Sequence, residues 1–121
     1  MDALRVLIVE DEPITKMILE ELLIAEGHSV CSWVVKGQDV GGEVELHRPD
    51  VVLMDVHLAA GVLGTDAARE LQRAHKVPVI VVSSADSPDE LRAISECGAL
   101  GFMKKPIDPE ELLVNLRIAT N

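Results

Sequence analysis

The stretch DVVLMDVHL, from Asp50 to Leu58, runs four apolar residues directly into the carboxylate of Asp55. Residues 51–54 have the length and the apolar composition of a strand that is buried on both faces of a sheet. A carboxylate at the end of such a strand lies at the sheet edge where open parallel sheets bind their ligands. The stretch therefore predicts both a parallel sheet and a functional role for Asp55.

Similar short apolar runs alternate with segments whose apolar residues recur at helical spacing. The predicted strands are residues 4–9, 30–35, 51–54, 77–82 and 100–104. Helical patterns extend from Pro13 to Glu26, with Gly27 just past the end, over residues 38–47 and 65–75, from Ser87 to Cys97, and from Asp108 onward. Ser87 and Asp108 each precede a proline and then acidic residues, which is typical of a capped helix start. The alternation predicts an α/β fold with a doubly wound, five-stranded parallel sheet and helices on both faces.

The composition excludes several classes of function. The chain has 121 residues, which fits one domain covering residues 1–121. Aromatic residues make up only 2%, too few for the stacking platforms that bind single-stranded nucleic acid. The formal net charge of −10 disfavours direct binding to nucleic acid or to anionic membrane surfaces. It is compatible with a divalent cation or with a basic partner protein.

The cysteines and the start of the chain indicate a reducing compartment. Cys31 and Cys97 lie far apart without C-x-x-C spacing, which predicts reduced thiols. No apolar stretch approaches the ~18 residues of a membrane span, and the start MDALRVLIVEDE lacks a secretory leader. We therefore expect a cytoplasmic protein. The histidines lack metal-binding or catalytic spacing and are expected at the surface: His28, His47, His57 and His75.

Polar side chains follow the predicted strands at their carboxyl ends. Glu10 and Asp11 follow the first strand, Asp55 the third, Ser83 the fourth and Lys105 the fifth. If these strands are neighbours, three carboxylates, a hydroxyl and an ammonium lie in one shallow pocket.

Three carboxylates so close together repel one another unless a proton or a cation intervenes. Oxygen ligands without histidine or cysteine favour Mg²⁺, which shares its coordination with phosphate oxygens. Lys105 and Ser83 can then contact the other phosphoryl oxygens. This arrangement suits phosphorylation of an aspartate, with Asp55 as the nucleophile.

Over nearly its whole length the chain resembles the receiver domains of two-component response regulators. The resemblance lies in the segments LIVEDE, LMDVHL, VIVVSSAD and GFMKKPID. It implies a flavodoxin-like sheet with the strand order 2-1-3-4-5 and an Asp55 phosphoacceptor. It also implies Mg²⁺ binding by Glu10, Asp11, Asp55 and the backbone carbonyl of His57.

The same resemblance implies the remaining site residues. Ser83 and Phe102 correspond to a hydroxyl and an aromatic ring that switch together on phosphorylation. Lys105 corresponds to the family's phosphate-binding lysine, followed by a cis bond to Pro106. The chain departs from the pattern in three ways: Glu10 replaces the commoner aspartate, Ala59 replaces a frequent proline, and Phe102 lacks the hydroxyl of the tyrosine often found there. We expect the glycine-bearing loop of residues 60–64 to be more mobile, and the switch to depend on packing.

The resemblance also implies partners. A histidine kinase or a histidine phosphotransfer protein would donate the phosphoryl group, docking on the first helix. A downstream protein would read the change on the fourth helix, fifth strand and fifth helix, about residues 87–119. Homodimerisation stays open. Because the chain ends with its last predicted helix, we expect a stand-alone receiver, unless the sequence is an excised fragment.

Other functions remain as alternatives. The domain could shuttle or store phosphoryl groups without an output switch. A phosphatase with an aspartyl-phosphate intermediate would need a second aspartate two residues after the nucleophile, where this chain has His57. A flavin- or nucleotide-binding module would need a phosphate-binding loop after the first strand, where the acidic residues 10–12 would repel anions.

Overall fold

A parallel sheet forms the centre of the molecule. The computed structural model describes residues 2–57, 64–84 and 87–120, so Ala59 and most of the predicted glycine-bearing loop lie outside the described residues. Five strands pair in parallel in the order β2-β1-β3-β4-β5, which confirms the predicted fold. Their bounds are Arg5–Val9 (β1), Ser29–Val34 (β2), Val51–Asp55 (β3), Val79–Ser83 (β4) and Gly101–Lys104 (β5).

Helices cover both faces of this sheet. Their bounds are Pro13–Ala25 (α1), Val40–His47 (α2), Gly64–Ala74 (α3), Pro88–Glu96 (α4) and Pro109–Thr120 (α5), with one 3-10 turn at Gly37–Asp39. Alternate strand residues feed two separate aliphatic clusters, one packed by α2, α3 and α4 and the other by α1 and α5. Burial on both faces explains why the central strands read as unbroken apolar runs. In the described part of the chain, every helix is too short or too polar to span a bilayer.

The predicted helix caps are present. Ser87 Oγ accepts a hydrogen bond from the N–H of Glu90 at 3.1 Å, and Asp108 Oδ1 accepts one from the N–H of Glu110 at 3.0 Å. Gly27 follows α1 with a φ of 85°, a left-handed conformation that glycine adopts without steric cost. These local signals set where the helices begin and end, and therefore where each strand returns to the sheet.

The strand boundaries differ from the prediction by one or two residues. The fourth strand begins at Val79 and not at Val77, because Pro78 lacks the N–H that a ladder would use. Asp55 and Ser83 are the last residues of β3 and β4, whereas the sequence placed them just beyond the strands. Both side chains are consequently held by the sheet itself.

The expectation of four surface histidines is wrong for His28. Only 6% of this residue is exposed, and its Nδ1 accepts a hydrogen bond from the N–H of Leu4 at 3.0 Å. The turn after α1 brings the ring close to the start of β1. There it accepts the hydrogen bond of the Leu4 N–H, which lies one residue before the strand. A contact over 24 residues leaves no local sequence signal.

We predict opposite effects of alanine at two glycines. A Cβ at Gly64 would overlap the backbone carbonyl oxygen of Asp55, whereas a Cβ at Gly42 on α2 would meet no atom within 4 Å. Gly64→Ala should lower the free energy of unfolding by about 1–3 kcal/mol. Gly42→Ala should raise it by about 0.5–1 kcal/mol, because alanine favours the helix. Urea unfolding of both variants checks this, and equal effects at the two sites would contradict the close approach at Gly64.

Candidate functional site

Four carboxylates meet at the carboxyl edge of the sheet. Glu10, Asp11, Glu12 and Asp55 each place one oxygen so that all four atoms lie within 4.8 Å of one another. The register of β1 with β3, in which Val9 is opposite Met54, brings the two strand ends side by side. Glu10 and Asp55 are buried, while Asp11 and Glu12 are exposed. The three carboxylates that the sequence placed together do converge, and Glu12 joins them.

Lys105 supplies the positive charge of this pocket. Its Nζ lies 3.0 Å from Glu10 Oε1, 3.0 Å from Glu12 Oε1 and 3.6 Å from Asp55 Oδ2. Its own N–H donates to the carbonyl of Ser83 at 2.9 Å, which fixes the backbone after β5 against the end of β4. The Lys105–Pro106 bond is cis, as the resemblance implies.

The pocket perturbs the acidity of Glu10. The pKa of Glu10 is raised to about 8. Burial is the largest cause, and the hydrogen bond with the Asp55 carboxyl group is the next, while Lys105 acts in the opposite direction. Two buried carboxyl groups beside one ammonium cannot both ionise without cost. Without a cation, Glu10 therefore retains its proton at neutral pH.

Lys105 responds to the same surroundings. Burial alone would lower the pKa of its ammonium, but close contacts with Glu10 and Glu12 and the charge of Asp55 more than offset this. The net result is a pKa above the ordinary value for lysine. Lys105 therefore stays charged as a fixed electrostatic partner of the pocket.

The carboxylate oxygens of this pocket are suitable ligands for a hard divalent cation. Glu10 Oε1 is buried, and the ammonium of Lys105 lies 3.0 Å from it. Lys105 shares its one positive charge among Glu10, Glu12 and Asp55, so negative charge remains in the pocket. Buried negative charge without a counter-charge is costly, and a cation would relieve that cost. Oxygen-only ligands match Mg²⁺.

The other predicted site residues take up different positions around this pocket. Ser83 is fully buried at the end of β4, opposite Lys104 on β5. The N–H of His57 donates to Asp55 Oδ1 at 3.3 Å, and its ring Nε2 lies 3.4 Å from Glu90 Oε2 on α4. The sheet therefore brings Ser83 to the same edge as Asp55, and His57 links that edge to α4.

Phe102 lies in β5, two residues before the carboxyl end of that strand. It lies opposite Val81 on β4 and packs against the aliphatic cluster under α2, α3 and α4. A shallow cavity of about 250 Å³ between α4 and β5 is lined by Phe102, Leu91 and Ile94, among others. The ring thus lies beside open space, which could accommodate a different rotamer.

Sequence reasoning missed two residues that contact the pocket. Glu12 stands next to Asp11 in the sequence, and its side chain binds Lys105 instead of capping α1. Trp33 on β2 donates its indole N–H to the carbonyl of Glu10 at 2.7 Å. The adjacency of Glu12 was an available signal, whereas nothing local pointed to Trp33.

Comparisons with known proteins agree with this geometry. The response regulator receiver domain family matches residues 6–117. The transcriptional regulatory protein PdtaR of Mycobacterium tuberculosis is 32% identical over 117 residues, covering 97% of this chain and 57% of that protein. The protein PilH of Pseudomonas aeruginosa is 36% identical over 115 residues, covering 90% of this chain and 91% of that protein. The chain thus spans little more than half of PdtaR but nearly all of PilH.

Solved structures have the same fold. The receiver domain of a modulated diguanylate cyclase from Desulfovibrio desulfuricans superposes with a TM-score of 0.91 at 24% identity, covering 98% of this chain and 94% of that one. The BeF3-activated receiver domain of Klebsiella pneumoniae RstA gives a TM-score of 0.86 at 26% identity, covering 97% and 98%. With the family match over most of its length, the chain belongs to the response regulator receiver domains and is a phosphoacceptor signalling domain.

Proposed function

We propose that Asp55 is the phosphoacceptor of this domain and that phosphorylation depends on Mg²⁺. The observation that carries the proposal is the convergence of Glu10, Asp11 and Asp55 beside Lys105 at one sheet edge. We also propose that residues 1–121 form one receiver domain in the cytoplasm.

Each side chain has a separable role in this proposal. The carboxylate of Asp55, aligned by the N–H of His57, attacks the phosphorus atom of the donor, and the donor imidazole leaves. Glu10, Asp11, Asp55 and the carbonyl of His57 would hold the metal. When bound, Mg²⁺ neutralises negative charge on the phosphoryl oxygens. Lys105 and the hydroxyl of Ser83 would contact the remaining phosphoryl oxygens.

The donor in this proposal is a phosphohistidine on a histidine kinase or a phosphotransfer protein. The face of α1 beside the pocket exposes Ile14, Met17 and Ile18 at 74%, 54% and 45%. Such an apolar patch next to a reactive carboxylate suits a protein donor. The domain would catalyse only its own phosphorylation and dephosphorylation, without direct contact with nucleic acid or membrane.

The proposed output surface comprises α4, β5 and α5. It carries exposed apolar side chains, namely Leu91, Leu100, Val114 and Ile118. Ser83 and Phe102 lie on the two strands that lead from the pocket to this surface. A downstream protein, or a second copy of the chain, would bind there after phosphorylation. The alternative is a receiver that stores or shuttles phosphoryl groups without an output switch.

We predict that acetyl phosphate with Mg²⁺ adds one phosphoryl group to the wild-type protein. Asp55→Asn should abolish the addition, because an amide oxygen is a poor nucleophile. Asp66→Asn, the same change at an exposed position on α3, should leave it intact. Intact-mass spectrometry measures all three proteins. Labelling that persists in Asp55→Asn, or that survives chelation of Mg²⁺, would show that another group or another mechanism is at work.

We predict that Mg²⁺ binding releases a proton. The pKa of Glu10 is about 8 without metal, so below that pH a cation must displace the proton. The affinity for Mg²⁺ should therefore rise with pH, by up to about tenfold per pH unit, and level off above the pKa. Titration calorimetry in buffers of different ionisation enthalpy counts the protons released.

Glu10→Gln is the control for this linkage, because the amide cannot titrate. Its Mg²⁺ affinity should be lower and nearly independent of pH. The metal-free wild type should also lose stability as pH rises from about 4.5 towards 8, because the raised pKa favours the protonated folded state. A wild-type affinity that does not change with pH over this range is incompatible with a protonated Glu10.

We predict that phosphorylation changes the output surface through Ser83. Backbone amide shifts should extend from the pocket into residues 87–119 in the wild type. They should stay confined to the pocket in Ser83→Ala, which lacks the hydroxyl, while Ser84→Ala should behave as wild type. Two-dimensional NMR before and after phosphorylation measures this. Shifts confined to the pocket in the wild type as well would favour the shuttle or storage alternative.

A further inference from the structure

Trp33 makes a direct hydrogen bond to the backbone of a proposed metal ligand. It lies on β2, and its Nε1–H donates to the carbonyl oxygen of Glu10 at 2.7 Å. The residue is 40% exposed and does not belong to either aliphatic cluster. The ring therefore adds little to the core, and its main defined contact is this hydrogen bond.

Both backbone polar groups of Glu10 are hydrogen-bonded to residues of β2. Its N–H donates to the carbonyl of Val34 at 3.0 Å, continuing the ladder one residue beyond β1. Its carbonyl accepts from Trp33. At this end of the ladder a side chain supplies the donor for that carbonyl. The peptide unit between Glu10 and Asp11 is thus fixed in one orientation.

The ring of Trp33 is itself held in place. The ammonium of Lys16, on α1, lies 5.1 Å from the ring centroid, within the range of a cation–π contact. The same ammonium pairs with Glu20 at 2.9 Å one helical turn along α1. The indole therefore lies between the segment that carries the acidic pair and the first helix that follows it.

We infer that Trp33 is a positioning residue for Mg²⁺ binding, acting through the backbone of Glu10. The inference rests on the metal site proposed above. A peptide unit set by the indole N–H directs the side chains of Glu10 and Asp11 into the pocket before the cation arrives. Preorganised ligands bind more tightly, because less conformational freedom is lost on binding.

The test separates the hydrogen bond from the bulk of the ring. Trp33→Phe removes the N–H and part of the ring. Benzothienylalanine at position 33 keeps the indole shape but replaces the N–H by sulfur, and 5-fluorotryptophan keeps both. Leu46→Ala is the matched control, because Leu46 lines the same surface groove as Trp33 and is 74% exposed.

Mg²⁺ titration by NMR, read at the amides of Glu10 and Asp11, gives the affinities. We expect Trp33→Phe and the benzothienylalanine protein to bind Mg²⁺ about three- to tenfold more weakly, the effect of one hydrogen bond of typical net strength. The 5-fluorotryptophan protein and Leu46→Ala should match the wild type. Trp33 is the only tryptophan of the chain, so its indole N–H gives one resonance. That resonance should exchange slowly with solvent without metal and shift on adding Mg²⁺.

The outcomes distinguish this inference from the metal site itself. A wild type that binds no Mg²⁺ would overturn the proposed site, whatever the variants do. A wild type that binds, with the benzothienylalanine protein binding equally well, would overturn only the role of Trp33. Equal weakening by Leu46→Ala would also overturn it, because the effect would then follow from the groove and not from the hydrogen bond.

Discussion

The site depends on the burial of two carboxyl groups, those of Glu10 and Asp55, beside the single ammonium of Lys105. Parallel strands end at one edge, so β1 and β3 bring these groups together without further adjustment of the chain. The ammonium cannot neutralise both carboxylates and also the exposed Asp11 and Glu12. The excess negative charge must therefore be met by a proton or by a cation. The raised pKa of Glu10 reflects that imbalance in the absence of metal. The proposed Mg²⁺ binding would remove it.

Much of this arrangement could be predicted because it follows from topology. A strand buried on both faces reads as an unbroken apolar run, and the residue at its carboxyl end can be identified without knowing any long-range contact. Glu10, Asp11, Asp55 and Lys105 were found in this way, and their side chains do meet. The strand boundaries were predicted less accurately, because a strand continues for as long as the neighbouring strand can hydrogen-bond to it. Asp55 accordingly belongs to β3, with Val82 of β4 opposite it.

The contacts that sequence reasoning missed connect residues far apart in the chain. Trp33 binds a carbonyl 23 residues away and His28 an N–H 24 residues away, and each uses a side chain to complete backbone hydrogen bonding at a strand end. Neither residue lies in a motif, and sequence alone does not decide whether an isolated tryptophan or histidine lies at the surface or in the core. Such contacts depend on how adjacent strands are offset. That offset includes an irregularity between Val6 and Leu7 in the pairing of β1 with β2, which periodicity does not encode.

Lys105 also links the pocket to β5 in the proposed output mechanism. Its ammonium contacts carboxylates from two separate segments, while its N–H is bonded to Ser83, so the side chain and the backbone of one residue join the pocket to β4. A phosphoryl group on Asp55 adds negative charge next to this ammonium and must alter its balance between Asp55, Glu10 and Glu12. Phe102 lies three residues earlier on β5, beside the cavity under α4. β5 and the residue that follows it thus carry both a ring beside this cavity and the ammonium of the pocket, which is compatible with the proposed output face.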